Sequence, residues 1–358
     1  IQNKIMKRSF LLSALIAVLI LSACSTEKYQ LKQKTDANGY SYEYVTNDPL
    51  ETRIYTLDNG LKVYMSLNQD EPRIGTFIGV RVGSAKDPQE TTGLAHYFEH
   101  MMFKGTDEIA TKDWEKEKVL LDEITDLFEQ HMAEADPEKA KLIYHRIDSV
   151  SALAATYALA NEYDKMASSI GAKMTNAGTS YDMTVYLNDI PANEFDKWVD
   201  LEYERFNDMV LRIFHTELET VYEEFNMYQD QDNSRASAAM MAGLFQTHPY
   251  GRDIIGLPEH LKKPSVKNIY EFAETYYVPN NMAIILSGDV DFEAMIKKIG
   301  ETFGQMEVKE LPEIVQPVEE PITEPVEKVI TGPTAANVTF SFRFEGGTSD
   351  DLKYVSLI

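Results

Sequence analysis

Two histidines and one glutamate, all within five residues, are the strongest candidates for chemistry in this chain. His96 and His100 are four residues apart, and Glu99 directly precedes the second histidine. On a helix, side chains at this spacing project from one face, so both imidazoles can bind one zinc ion. A carboxylate beside a metal-bound water can accept its proton during attack on a peptide carbonyl and later deliver it to the leaving amine. The pattern therefore predicts a zinc site with Glu99 as general base.

Two histidines need a third protein ligand, and an acidic helix predicted to begin near Thr216 can supply it. Glu217, Val221 and Glu224 fall at positions i, i+4 and i+7, which places them on one helix face. The two carboxylates are two turns apart, or roughly 10 Å along the helix axis. One of them can therefore reach the metal while the other supports a histidine.

The charge balance excludes one class of partner. The chain has 34 Lys and Arg against 58 Asp and Glu, a formal net charge of −24. Such a chain repels a phosphate backbone, so no nucleic-acid partner is expected. With 44% hydrophobic and 26% charged residues, the composition is that of a globular protein, and 358 residues suffice for one large or two medium domains.

The N-terminus has the pattern of a secretory signal. Lys7 and Arg8 precede an apolar run over residues 10–20, which is shorter than the roughly 20 residues of a membrane-spanning helix. The run leads into Leu21-Ser22-Ala23-Cys24, which resembles the lipobox of bacterial lipoproteins. Cys24 is the only cysteine, and the alternative is a free thiol in a discarded signal. We expect cleavage before Cys24 and lipidation of its thiol. The result would be a lipid-anchored membrane protein of the bacterial cell envelope, with its body outside the cytoplasm on the periplasmic side.

Hydrophobic periodicity and turn residues predict the elements that position these groups. Ile54 to Met65 is predicted as a hairpin around Asp58-Asn59-Gly60, and Arg73 to Val82 as a buried strand. Trp114 to Ala167 has the spacing of two or three helices. Lys173 to Asn188 alternates as one strand.

Further elements follow toward the C-terminus. Asn193 is predicted to cap a helix, Met282 to Gly288 to form a strand and Phe292 to Phe303 a helix. Prolines spaced among Glu and Val from Leu311 to Pro325 indicate an interdomain linker. Asn337 to Phe344 alternates as a strand of a following domain.

These elements predict an α/β fold with mixed, largely antiparallel sheets covered by helices. The predicted segments are a signal peptide (1–23), a polar tether (24–48), a catalytic domain (49–307) with a helical insertion at about 112–167, a linker (308–328) and the start of a second, truncated domain (329–358).

The motifs together resemble those of the pitrilysin and insulinase family of zinc metallopeptidases, which includes the mitochondrial processing peptidases. The order His-x-x-Glu-His is the inverzincin signature. The resemblance covers roughly residues 53–291 and the start of a following domain. It rests on Leu57-Asp58-Asn59-Gly60-Leu61, on the run from Gly93 to Thr106 that contains both histidines, on Asn176-Ala177-Gly178-Thr179, and on the helix from Glu217 to Glu224.

The resemblance implies one bound zinc ion and a role for each site residue. The third ligand is Glu224 or its neighbour Glu223, and the spacing of seven from Glu217, with Val221 between, favours Glu224. The implied roles are zinc ligation by His96, His100 and Glu224, proton transfer by Glu99 and support of a histidine by Glu217.

The resemblance also implies how a substrate is held. In the family, an edge strand of sequence Asn-Ala-x-Thr adds the substrate peptide as an extra strand, and Asn176, Ala177 and Thr179 match it. Full-length members carry a second, noncatalytic half that contributes an Arg and a Tyr to the site, and this chain ends before such a half. The interval from His100 to Glu224 is longer than usual in the family, which we attribute to the helical insertion.

The expected function is that of a zinc-dependent metalloendopeptidase that hydrolyses peptides or unfolded protein segments outside the cytoplasm. It can be inactive alone, without a homologous C-terminal half or partner subunit. Two alternatives remain open at this point. One is a noncatalytic subunit of a paired protease, and the other is a lipoprotein that captures peptides by strand addition without cutting them.

Overall fold

The computed structural model describes residues 29–313, 315 and 317–344. The predicted signal peptide, Cys24 and residues 345–358 of the predicted second domain lie outside the described residues. Within the described ranges, no helix is both long and apolar enough to cross a membrane.

One eight-stranded sheet organises the fold, in the order β1-β2-β3-β4-β8-β5-β7-β6. The β4–β8 pair is parallel, and every other pair is antiparallel. The predicted class, α/β with a mixed, largely antiparallel sheet covered by helices, is therefore confirmed. The strands are β1 (Leu31–Thr35), β2 (Ser41–Val45), β3 (Arg53–Thr56), β4 (Lys62–Leu67), β5 (Arg73–Val80), β6 (Lys173–Thr179), β7 (Thr184–Pro191) and β8 (Met282–Gly288).

The predicted hairpin is confirmed as β3 and β4, which pair across the turn that contains Gly60. Gly60 has a φ of 84°, a conformation that glycine adopts at little cost. The Asn59 side chain donates to the carbonyl of Phe303 at 2.8 Å, which ties this turn to the end of the domain.

Helices cover the sheet, and apolar side chains fill the interface between them. The predicted helical stretch after Trp114 forms three helices, and Asp136 caps the second by accepting a bond from the Glu138 amide at 2.9 Å. The helices are α1 (Leu94–Met101), α2 (Trp114–Ala133), α3 (Pro137–Ala155), α4 (Glu162–Ser169), α5 (Phe195–Asn207), α6 (Phe214–Gln229), α7 (Asp232–Leu244), α8 (Pro258–Leu261), α9 (Val266–Tyr276) and α10 (Phe292–Glu301).

The prediction of a tether without regular structure over residues 24–48 is wrong for part of this segment. Over residues 31–45 the chain forms the hairpin β1–β2, and β2 pairs with β3 to extend the sheet. The Tyr42 ring packs against Tyr55 with centroids 5.3 Å apart, and the guanidinium of Arg53 lies over the Tyr42 ring. Tyr42 and Tyr44 of β2 are half-buried while Ser41, Glu43 and Val45 between and beside them are exposed, and that alternation was the missed strand signal.

The prediction of one strand over Lys173 to Asn188 was also wrong. A turn over residues 180–183, closed by a bond from the Ser180 amide to the Met183 carbonyl at 2.8 Å, divides it into β6 and β7. The Ser180 hydroxyl also bonds to Met183, and such local bonds favour turns over strands.

Two further local predictions fail. Helix α5 begins at Phe195 after a short 3₁₀ turn, and Asn193 does not cap it, because its amide bonds to the Glu194 carboxylate instead. Residues 337–344 form no strand, and Val338 and Phe340 are 79% and 82% exposed. A strand needs a neighbour for its backbone N–H and C=O groups, and no described strand lies beside this segment.

Candidate metal centre

Helix α1 presents the His-x-x-Glu-His motif, and tight backbone contacts fix where this helix begins. Its N-cap, Gly93, has a φ of 91°, and a Cβ at this position would lie 2.6 Å from the Ile255 carbonyl oxygen. The Asp87 carboxylate accepts bonds from the amides of Gly93 and Ala95 at 2.7 and 3.0 Å. Burial raises the pKa of Asp87 to about 7, while these two amide bonds and the nearby charge of Arg252 favour its ionised form. Helix α1 packs against β6, α6 and α9, and the side chains of His96 and His100 face Glu224 of α6.

Helix α6 supplies the acidic residues. The Tyr97 hydroxyl of α1 donates to the Phe214 carbonyl in the first turn of α6 at 2.5 Å, which sets the two helices side by side. Val221 is fully buried in the core, so Glu217 and Glu224, which share its side of the helix, are directed toward α1.

His96, His100 and Glu224 bring one ligand atom each to a common point, all within 4.8 Å of one another. Glu224 Oε2 lies 3.7 Å from His96 Nε2 and 3.4 Å from His100 Nε2. These separations exceed those of good hydrogen bonds. They approach the edge of a tetrahedron of zinc ligands, roughly 3.4 Å for metal–ligand bonds of about 2.1 Å. The donor set and its spacing therefore fit zinc. Glu223 is exposed and is not part of this set.

A second layer of contacts orients His100. Its Nδ1 bonds to Glu217 Oε1 at 2.8 Å, which leaves Nε2 free to face the metal position. The other carboxylate oxygen of Glu217 pairs with Lys104 Nζ at 2.5 Å. His96 has no orienting contact equivalent to that of His100 with Glu217, because His96 Nδ1 is buried without a hydrogen-bond partner among the described residues.

The two histidines differ in basicity. Burial, followed by the nearby charge of His100, lowers the pKa of His96 to about 4. Burial would also lower the pKa of His100, but the bond and charge of Glu217, with the charges of Glu99 and Glu224, raise it above the ordinary 6.5. Burial opposes ionisation of Glu217, yet its bonds from His100 and Lys104 lower its pKa.

Glu99 lies beside the ligands with its side chain held from a different element. It is 8% exposed, and its Oε2 accepts a bond from the Thr179 hydroxyl of β6 at 2.7 Å. Burial raises the pKa of Glu99, and the bond from Thr179 opposes this rise. A carboxyl with a raised pKa beside a metal position suits proton transfer near neutral pH.

Strand β6 lies at the outer edge of the sheet, where only β7 pairs with it among the described strands. Asn176 and Ala177, predicted to bind substrate, are on this strand, and the Asn176 side chain accepts a bond from the Ala177 amide. Thr179, the third predicted substrate residue, is on the same strand and contacts Glu99 as described above.

Lys104 was not identified from the sequence. The available signal was its position four residues after His100, which places the two side chains on neighbouring positions if the helical path continues past α1. The contact of Thr179 with Glu99 had no local signal, since 80 residues separate the two.

Both the sequence and the fold of this chain are similar to those of known proteins. The profile described as "Insulinase (Peptidase family M16)" matches residues 63–121 and 150–257. The profile described as "Peptidase M16 inactive domain" matches residues 265–357. The unmatched residues 122–149 lie in the α2–α3 hairpin.

Among individual proteins, the probable mitochondrial-processing peptidase subunit beta of Arabidopsis thaliana is 24% identical over 319 residues, covering 89% of this chain and 51% of that protein. The probable zinc protease PqqL of Escherichia coli is 23% identical over 280 residues, covering 74% of this chain and 24% of that protein. A crystal structure of the first half of the periplasmic protease PqqL from Escherichia coli has a TM-score of 0.56 at 21% identity, covering 76% of this chain and 50% of that one. The chain thus spans about half or less of the length of these relatives.

Proposed function

This chain belongs to the insulinase (pitrilysin) family of metallopeptidases, and from this membership we propose that it is a zinc-dependent endopeptidase for peptides or unfolded protein segments. The observation that carries the proposal is the convergence of His96, His100 and Glu224 on one point, with the buried carboxylate of Glu99 beside them. Relatives named zinc proteases add support.

Each side chain has a defined task in this proposal. When bound, one zinc ion supplies Lewis acidity that polarises a peptide carbonyl and makes water more acidic. His96, His100 and Glu224 hold the ion, while Glu217, itself paired with Lys104, keeps the His100 ring oriented. Glu99 accepts the proton of the attacking water at its carboxylate and passes it to the leaving amine.

The proposed substrate site is the free edge of β6. A peptide that adds to this edge is held by main-chain hydrogen bonds, so recognition depends little on its side chains. Asn176, Ala177 and Thr179 on this strand would place the scissile bond next to α1, which packs against β6. This arrangement favours extended, unfolded substrates.

The proposal extends to location and assembly. We place the protein body outside the cytoplasm, released from the signal of residues 1–23 and anchored through Cys24, and one similar structure is titled a periplasmic protease. We also propose that residues 329–358 begin a second, homologous domain after the linker 308–328, and that full activity requires such a half or a partner subunit. The inactive-domain profile matches residues 265–357, a range that includes this segment and also α9, β8 and α10 of the domain described above.

Removal of zinc by a chelator and substitution of the third ligand, Glu224, test the proposal together. The zinc-loaded protein, with its second half or partner subunit present, is expected to cleave dye-labelled casein, to lose this activity in a chelator and to regain it when zinc is restored. Glu224→Gln is expected to bind zinc at least about 100-fold more weakly, because a direct ligand matters more than the supporting contacts worth 10- to 100-fold. Zinc content and affinity are measured by atomic absorption and calorimetry.

Glu223→Gln is the matched control, since it removes the neighbouring carboxylate by the same change. It is expected to keep wild-type zinc affinity and cleavage. Zinc loss in Glu223→Gln with retention in Glu224→Gln would transfer the third-ligand role to Glu223. Capture of casein without cleavage by the zinc-loaded protein would replace the protease by a peptide-binding protein.

Zinc binding is expected to release one proton near pH 6, and the proton comes from His100. An imidazole must be unprotonated to bind a metal. His96, whose pKa is about 4, is already neutral at pH 6, whereas His100, whose pKa is raised above 6.5, still carries a proton. Zinc affinity should therefore fall as pH drops below the pKa of His100, by about tenfold per pH unit. Calorimetry in two buffers of different ionisation enthalpy counts the protons.

The Glu217→Gln variant provides the comparison for this measurement. Because the bond and charge of Glu217 raise the pKa of His100, the variant should release less than one proton at the same pH. Release of two protons by the wild type at pH 6 would contradict the difference between the two histidines.

A further inference from the structure

The contact between Thr179 and Glu99 joins the proposed substrate strand to the proposed base. Thr179 Oγ1 lies 2.7 Å from Glu99 Oε2, and the two residues belong to β6 and α1. An ionised carboxylate can only accept hydrogen bonds, so the threonine hydroxyl is the donor. This charge-assisted bond occupies one oxygen of Glu99 and leaves Oε1 available for the proton of water.

The strand places the Thr179 side chain on the inner face of the sheet, away from a peptide added at the edge. Thr179 is opposite Thr184 of β7 in the antiparallel register, and their hydroxyl oxygens are 3.5 Å apart. Thr184 donates its own proton to the Val82 carbonyl at 2.9 Å. Thr184 is therefore not a donor to Thr179. Its hydroxyl belongs to a cluster of buried hydroxyls with those of Tyr186 and Tyr277, whose oxygens are 2.8 Å apart.

We propose that Thr179 is a positioning residue for the Glu99 carboxylate rather than a substrate-binding residue. Through Thr179, strand β6, which is proposed to receive the peptide, also fixes the orientation of the Glu99 carboxylate, which is proposed to transfer the proton. This inference rests on the proposed function, since it gives a task to Thr179 within the same site. Misplacement of a reacting group by about 1 Å can cost on the order of 100-fold in rate.

Three variants test the inference. Thr179→Val removes the hydroxyl at nearly constant shape, Thr179→Ser restores a hydroxyl, and Thr175→Val makes the same deletion elsewhere on β6. The Thr175 hydroxyl accepts a bond from the Asn188 amide and does not contact Glu99. The probe is a quenched peptide that the zinc-loaded wild type cleaves. We expect kcat of Thr179→Val to fall by about 10- to 100-fold with KM and zinc content unchanged. Thr179→Ser should recover most of the rate, and Thr175→Val should keep it.

A second measurement does not depend on cleavage. In chelated protein, Thr179→Val should lower the thermal unfolding midpoint more when Glu99 is present than in a Glu99→Ala background, because the deleted bond exists only in the first case. Thr175→Val should have the same effect in both backgrounds.

The outcomes separate the inference from the proposed function. A rise of KM with unchanged kcat in Thr179→Val overturns the inference and returns Thr179 to substrate binding. Equal effects on unfolding in the two backgrounds overturn it as well. If the zinc-loaded wild type cleaves no peptide even with its second half or partner subunit present, the proposed function fails, and the unfolding comparison still decides whether Thr179 holds Glu99.

Discussion

Glu99→Gln is expected to keep its zinc and lose cleavage, with kcat reduced on the order of 10²- to 10⁴-fold. The amide has nearly the shape of the carboxylate and can still accept the bond from Thr179, so the site geometry should persist. It cannot take a proton from water at neutral pH, which removes the general base. Zinc content by atomic absorption and kcat with a quenched peptide are measured on the same sample.

The control for this change is Glu90→Gln, an identical substitution in the exposed loop before α1. It is expected to leave kcat and zinc content at the wild-type level. His96→Ala, by comparison, should lose both zinc and cleavage because a ligand is deleted. Full activity in Glu99→Gln would rule out its role as the base, and loss of zinc in this variant would make Glu99 a ligand instead.

The second large effect concerns stability, and it arises from an ion pair in the core. Arg212 and Glu117 are each 1% exposed at the side chain, and they pair through both carboxylate oxygens at 2.6 and 2.9 Å. The remaining guanidinium N–H groups donate to three backbone carbonyls that follow the histidine helix, those of Lys104, Thr106 and Ile109. All five donors of the arginine are therefore used.

Glu117→Gln should lower the free energy of unfolding by about 3–5 kcal/mol, because it leaves a buried guanidinium without its counter-charge. Chemical denaturation of the chelated protein measures the loss, since bound metal would otherwise add to the stability of the folded state. The matched control is the exposed pair Arg146–Glu123, 59% and 38% exposed. Glu123→Gln is expected to cost less than about 1 kcal/mol.

One result would contradict this expectation. A loss of stability in Glu117→Gln no larger than that in Glu123→Gln would mean that the buried pair is hydrated or weakly coupled.

Local sequence patterns were sufficient wherever one element carries the information. The four-residue spacing of His96 and His100 predicts a shared helix face, and the structure has them on α1. The Asn59-Gly60 turn predicts the β3–β4 hairpin, and the helical periodicity after Trp114 predicts α2 to α4. In each case hydrogen bonds between residues close in sequence define the element, so composition and period are enough.

Local sequence patterns were not sufficient where contacts between residues distant in the sequence determine whether an element forms. Part of the predicted polar tether forms the hairpin β1–β2, because Tyr42 of this segment packs against Tyr55, which is distant in the sequence. The segment from residue 337 to 344 has the alternation of a strand but no partner strand among the described residues. Alternation reports which side of a strand can be buried, not whether a partner is present.

For this protein, then, the residue types and spacing of the His-x-x-Glu-His motif were readable from sequence alone, as was an acidic helix able to complete the site. Only the tertiary structure brings Glu224 rather than Glu223 to the two histidines, pairs Lys104 with Glu217 and ties Thr179 to Glu99. The reason is that α1, β6 and α6 are separated by long stretches of chain. Their relative placement depends on how the whole sheet and its covering helices pack, which no local period encodes.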